Sequence, residues 1–226
     1  MKSLLCRCAL AGTLFAPAVF ASACVSGTLA TYVALGSGGC TVNGELVDNF
    51  QFSVASMSGG YTPLSSSQIN VAPSFSTGIY TLTFTSSGFL ATGSEFVHYQ
   101  INFTWDPVVV GAEDDMISNT PVFPGQASVA TNLCAGSTFG ASCPPPTNSL
   151  FVFNNGSSSI PKATTTFAPS LIVDTQSFLN LDANGASSQI TGFATSVLTP
   201  EPATALLFSA AFLVIGLQAL RQRSRV

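Results

Sequence analysis

Basic residues are nearly missing from the middle of this chain. Of the six lysines and arginines in 226 residues, only Lys162 lies between Cys24 and Thr199. Nine acids share that span: Glu45, Asp48, Glu95, Asp106, Glu113, Asp114, Asp115, Asp174 and Asp182, so its net charge is −8. Such a surface repels a phosphate backbone, and nucleic acid is not an expected partner. Histidine occurs once, as His98, and there is no C-x-x-C pair. The usual nitrogen and sulfur ligand sets for zinc are therefore missing, and no cofactor is expected. No G-x-S-x-G occurs, which leaves an α/β-hydrolase serine without support. His98 has no serine or acid at a recognised motif spacing, so it reads as a surface residue rather than a general base. Charged residues make up only 7% of the chain, but disorder does not follow, because aromatics recur at strand spacing throughout.

Long helical periodicity is also missing, and alternation with period two stands in its place. Phe50, Phe52 and Val54 alternate with Asn49, Gln51 and Ser53; Tyr80, Leu82 and Phe84 alternate with threonines. The clearest run places Val97, Tyr99, Ile101, Phe103 and Trp105 on one face, with His98, Gln100, Asn102 and Thr104 on the other. Weaker signals cover Ile69 to Ala72, Ser128 to Leu133, Leu150 to Phe153, Ser170 to Asp174, Ser177 to Asp182 and Ser188 to Val197. Turn-forming groups such as Ser58-Gly59-Gly60, Asn154-Asn155-Gly156 and Asn184-Gly185 separate them. About nine short strands of this kind predict an all-β, antiparallel β-sandwich or jelly-roll-like ectodomain. Residues 121–126 and 136–148 read as long surface loops.

The ends carry addresses. Lys2 and Arg7, then an apolar run from Ala9 to Phe20, then Ala21-Ser22-Ala23 have the form of a secretory signal peptide, expected to be cleaved after Ala23. Cys6 and Cys8 would leave with it. The mature chain would keep Cys24, Cys40, Cys134 and Cys143, an even number that implies disulfides in an exported protein, with three connectivities open. Sequence proximity favours Cys24–Cys40 and Cys134–Cys143. Acylation of Cys24 would leave Cys40 unpaired, so the disulfide reading is preferred over a lipid anchor. At the other end, Ala203 to Leu220 has no ionised side chain and no proline. As a helix it would be about 27 Å long, close to the hydrocarbon thickness of a bilayer. Arg221, Arg223 and Arg225 follow and would stay cytoplasmic. The expected organisation is a signal peptide over 1–23, one domain over 24–199, and a tail over 200–226.

Pro200-Glu201-Pro202, the apolar helix and the basic end together resemble the PEP-CTERM sorting tail of bacterial exported proteins. The two prolines keep the tripeptide extended and outside the helix, at the membrane boundary. The resemblance implies recognition by an exosortase-type membrane enzyme at Pro200, Glu201 and Pro202, with removal of residues 203–220 and 221–226. It implies an inner-membrane anchor before processing and a cell-surface or extracellular destination, in an exopolysaccharide or biofilm setting. The stretch from Cys24 to Val42 is similar to the opening of a group of these proteins with no assigned function. There Leu29 to Leu35 would be a short amphipathic piece and Gly36 to Gly39 a turn, held by a disulfide.

Within the domain, candidates for chemistry are sparse. Glu113-Asp114-Asp115 offers carboxylates to Ca²⁺, but that ion needs about six to eight oxygens and no D-x-D-x-D-G loop is present, so a solvated loop is preferred. Glycoside hydrolysis needs two carboxylates astride the bond; Glu45, Asp48, Glu95 and Asp106 are the acids that folding would have to pair. Tyr61, Tyr80, Tyr99 and Trp105 would serve as a sugar platform if exposed, but three of them lie on apolar strand faces and core packing is preferred. The expectation is a non-enzymatic structural or adhesive protein of the envelope or matrix. A carbohydrate-binding or glycan-cleaving module is the first alternative, and a single-pass membrane protein with an uncut tail the second.

Overall fold

Alternating apolar residues can bury one face of a strand only against a second layer, and the chain supplies that layer itself. The computed structural model describes residues 21–138 and 148–200. Its strands are β1 (Gly27–Thr28), β2 (Cys40–Val42), β3 (Glu45–Ser58), β4 (Asn70–Ser76), β5 (Ile79–Thr85), β6 (Leu90–Gly93), β7 (Phe96–Trp105), β8 (Val109–Asn119), β9 (Gln126–Ala135), β10 (Asn148–Asn154), β11 (Ser159–Ile160), β12 (Lys162–Ser170), β13 (Val173–Asp182) and β14 (Ala186–Leu198). One sheet runs β11-β10-β9-β13-β7-β3-β2, and the other β1-β4-β5-β14-β8-β12 with β6 added to β14. Every pairing between these strands is antiparallel. The protein is an all-β sandwich of two antiparallel sheets.

Aromatic rings knit the two layers together. Phe103 of the first sheet lies 5.8 Å from Phe84 of the second, and Trp105 lies 6.5 Å from Tyr80. Phe84 stacks on Phe193 at 5.1 Å within its own sheet, and Phe103 stacks on Phe50 at 5.5 Å. Each such pair contributes about 0.5–1.5 kcal/mol beyond its burial. Trp105, Tyr99, Phe103, Phe84 and Phe193 are all fully buried.

The segment before β2 forms a lid on one edge. Leu29–Leu35 is a short helix, α1, capped by Thr28, whose hydroxyl accepts from Thr31 N–H. Tyr32 of α1 packs edge-on to Phe50 at 5.0 Å and donates its hydroxyl to Val25 O. A 3-10 turn over Gly36–Gly38 follows, and Cys24 and Cys40 are joined by a disulfide with Cα atoms 4.9 Å apart. The amphipathic piece, the glycine turn and this bridge fall where the sequence placed them. Ala23 forms a bridge to Thr41, so pairing begins one residue before the expected mature N-terminus.

Several strands differ from the sequence reading. Glu113-Asp114-Asp115 is not a solvated loop: it is the middle of β8, between β14 and β12. Alternation along β8 turns Ala112, Asp114 and Met116 inward, and Glu113 outward to a 2.7 Å ion pair with Lys162. Asp114 is fully buried, and burial pushes its carboxyl up to about 7. Ser170 to Asp174 is not one strand, because β12 ends at Ser170 and β13 begins at Val173. β6 and most of β12 had no alternation signal strong enough to mark them.

Candidate functional site

The outer face of the first sheet is polar because its four central strands turn their non-apolar residues the same way. In register across β3, β7 and β13, Asp48 stands beside Thr104 and Thr104 beside Asp174. One step along, Gln51, Asn102, Gln176 and Asn132 form a row across β3, β7, β13 and β9. Between these rows β3 carries a bulge, where its register with β7 shifts between Asp48 and Gln51. Asn49 occupies it with φ 55°, a left-handed conformation that asparagine tolerates better than most side chains. The bulge keeps Asp48 and Gln51 on the outer face while Phe50 turns into the core.

A shallow cleft of about 180 Å³ lies over this bulge, lined by Asn49, Gln51, Asn102, Thr104, Thr138 and Asp174. Its side chains are tied to one another. Asn49 Nδ2 donates to Asp48 Oδ1 at 2.8 Å, Thr104 Oγ1 to Asp174 Oδ1 at 3.1 Å, and Gln100 Nε2 to Asn102 Oδ1 at 3.1 Å. Each amide retains donors and acceptors for a further partner. Asp48 is only 7% exposed. Its burial and the neighbouring Asp106 push its carboxyl up to about 6, with Asp174 adding to the shift and the Asn49 bond opposing it. Of the four acids considered for a pair, Asp48 and Asp106 are thus brought together, along with Asp174. Glu95 closes its own turn, accepting from Thr92 N–H at 2.7 Å.

Aromatic side chains border this polar field. Phe178 stands in register with Gln100 and Ala130, and Phe151 with Ala130. Phe151 stacks on Phe153 at 5.7 Å and is 48% exposed. His98 meets the edge of Phe178 at 5.2 Å; its burial lowers the imidazole pKa, and Nε2 has no hydrogen-bond partner. It lies on the outer face, as expected, but tucked against Phe178. Tyr61, Tyr80, Tyr99 and Trp105 are buried, so none of them is a surface platform. The residues that sequence reasoning missed are Phe151, Phe153 and Phe178. Phe178 is the legible one, since it falls out of phase with inward Ser177, Leu179 and Leu181.

Other expected sites are placed as follows. Cys134 is buried and disulfide-bonded; Cys143 lies outside the described residues. Residues 1–20, Glu201, Pro202, the helix over 203–220 and Arg221, Arg223 and Arg225 also lie outside them. Among the described residues no helix is long and apolar enough to cross a membrane, and no group of three or more histidine, cysteine, aspartate or glutamate side chains is placed to hold a metal ion. Glu113, Asp114 and Asp115 accordingly do not form a Ca²⁺ loop, because strand alternation splits them between two faces.

No protein-family model matches the chain, and no curated protein does. Among solved structures, one described as TmCBM61 in complex with beta-1,4-galactotriose is similar over 66% of this chain and 83% of that one, at 8% identity and a TM-score of 0.27. A score that low carries no argument about fold or ligand. The class of the protein, a two-sheet antiparallel β-sandwich, rests on its own strand order.

Proposed function

We propose that the domain over 24–199 is an exported, non-enzymatic adhesive module that binds neutral carbohydrate on the outer face of its first sheet. The observation that supports this reading is the cleft of amides and hydroxyls at Asn49, Gln51, Asn102 and Thr104, with Phe178, Phe151 and Phe153 on the same face. Amides offer donors and acceptors together, as a polyol requires, and aromatic faces suit the C–H faces of sugar rings. The cysteine bridge at Cys24 and Cys40 favours an oxidising compartment. In the same reading the tail at Pro200-Glu201-Pro202 directs the protein to an exosortase-type enzyme and then to the cell surface or an exopolysaccharide matrix. This reading gives Asp48 and Asp106 no catalytic role.

Two measurements test the two halves. Glycan-array binding by the full chain in nonionic detergent, reduced about tenfold by Asn102→Ala with the fold retained, supports the binding face; no binding to any neutral glycan rejects it. Intact mass of the mature C-terminus tests sorting. A tail still present in cells, or removed as well after Pro200, Glu201 and Pro202 are all changed to alanine, rejects exosortase recognition.

A further inference from the structure

The inner row of β8 and β14 carries a polar group that the binding face does not use. Asp114 stands in register with Thr195 in the second sheet. Opposite them the first sheet presents Thr131 and Ser177, themselves in register between β9 and β13. Thr131 Oγ1 and Ser177 Oγ are 3.0 Å apart, and Ser177 Oγ reaches Thr195 Oγ1 across the sandwich at 3.4 Å. All four side chains are fully buried, amid Leu82, Ile101 and Leu150 of the same inner rows. Neither carboxylate oxygen of Asp114 has a hydrogen-bond partner of acceptable geometry, although the Thr131 and Thr195 hydroxyls lie close enough to oppose the rise in its pKa. Thr175, two residues before Ser177 on the same face of β13, also has a buried hydroxyl without a partner.

A carboxylate withdrawn from water needs a counter-charge or a full set of donors, because its desolvation costs several kcal/mol. Among the described residues no side chain supplies the charge. Lys162, the one basic residue between Cys24 and Thr199, is exposed and bound to Glu113 on the opposite face of β8. The polar groups packed with Asp114 among these apolar side chains are hydroxyls, oxygen donors of the kind a hard cation takes. One carboxylate balances one positive charge. A divalent ion would leave a net charge in the core, since Glu113 and Asp115 turn away from Asp114 along the strand.

We propose that Asp114, with the hydroxyls of Thr131, Ser177 and Thr195, holds a monovalent metal cation of sodium's class between the two sheets. The ion would join β8 and β14 of one layer to β9 and β13 of the other. It would enter as the layers close, since the four side chains have no exposure in the folded chain. This inference is independent of the carbohydrate reading.

The test is thermal unfolding of the full-length chain in nonionic detergent at pH 8, in sodium, potassium or choline chloride of equal ionic strength. Sodium should raise the midpoint above choline by at least about 3 °C, the size expected for about 1 kcal/mol of linked binding in a domain of this length. Asp114→Asn should remove the difference between salts. Thr131→Val, which keeps the shape and deletes one oxygen, should reduce it, and serves alone if Asp114→Asn does not fold. Equal midpoints in sodium and choline for the unaltered chain overturn the proposal, as does a sodium effect left undiminished by either substitution. An infrared band of a protonated Asp114 carboxyl at pH 8 in sodium would also overturn it, by showing that a proton fills the role instead.

Discussion

The hydroxyls of Tyr61 and Tyr99 stand 2.9 Å apart inside the protein, joining the loop after β3 to the middle of β7. Leu64 N–H donates to the same Tyr99 hydroxyl at 2.9 Å, and Tyr61 reaches Gly88 O at 3.3 Å. One phenol on a buried strand therefore satisfies two groups of a loop that has no sheet of its own. Tyr99→Phe should cost about 1–3 kcal/mol, because it leaves a backbone N–H without a partner. Tyr61→Phe should cost about 0.5–1.5 kcal/mol, since the Gly88 carbonyl it gives up keeps its bond from Leu90 N–H. Urea unfolding of the two variants would give the order, and a larger loss for Tyr61→Phe would contradict it.

Replacing both Cys24 and Cys40 with alanine opens a loop whose ends are 16 residues apart in sequence. The chain-entropy account assigns such a closure about 3 kcal/mol. The loss should appear in unfolding as a lower midpoint. Because α1 lies inside this loop, amides of Leu29–Leu35 should exchange faster with solvent in the variant than those of β7.

Asp48 should make stability fall with rising pH. Its folded carboxyl sits at about 6, above the ordinary carboxylate value, so the folded state holds the proton more tightly than the unfolded chain. Stability from this group is complete below about pH 4, declines as pH rises toward about 6, and is level above that. A shift of that size corresponds to at most about 3 kcal/mol. Asp106 acts in the same direction, so the comparison needed is with Asp48→Asn. The variant should match the unaltered protein at pH 4 and exceed it at pH 8. Equal differences at the two pH values would exclude the effect.

Trp105→Ala should unfold or gravely weaken the domain and so cannot serve as a probe of sugar binding. The ring is fully buried against Phe103 and Tyr80, and truncation of such a side chain costs about 3–5 kcal/mol. Phe151→Ala is the informative change: the ring is on the surface, so glycan affinity should fall about tenfold with the unfolding midpoint held within about 1 °C. A midpoint that drops while binding persists would assign Phe151 to packing.

These contrasts mark what the sequence could carry. Val97 to Trp105 was legible from end to end, because one of its faces is packed and the other wet, and alternation is the direct record of that. β8 was not, since three consecutive acids look solvated whatever the backbone does. Only its neighbours in space reveal that Ala112, Asp114 and Met116 share the inner face. Thr131, Thr175 and Ser177 sat in phase with Val129, Leu133, Val173 and Leu179, yet hydroxyls in an alternating run read equally well as surface. The cleft was hidden for a different reason: it depends on Asn49 taking a left-handed turn, and nothing about an asparagine beside an aspartate announces a bulge.

The way β14 leaves the domain bears on how the protein carries load. This 13-residue strand is hydrogen-bonded to β5 on one side and β8 on the other, and just past its end Thr199 is clipped to Gly78 O through both its N–H and its hydroxyl. Tension drawn on the chain beyond Thr199 would enter the sheet through its interior, not its margin. It would have to shear two ladders at once, whereas a strand on a margin can be unzipped one bond at a time. A domain pulled from that end should yield abruptly and at high force.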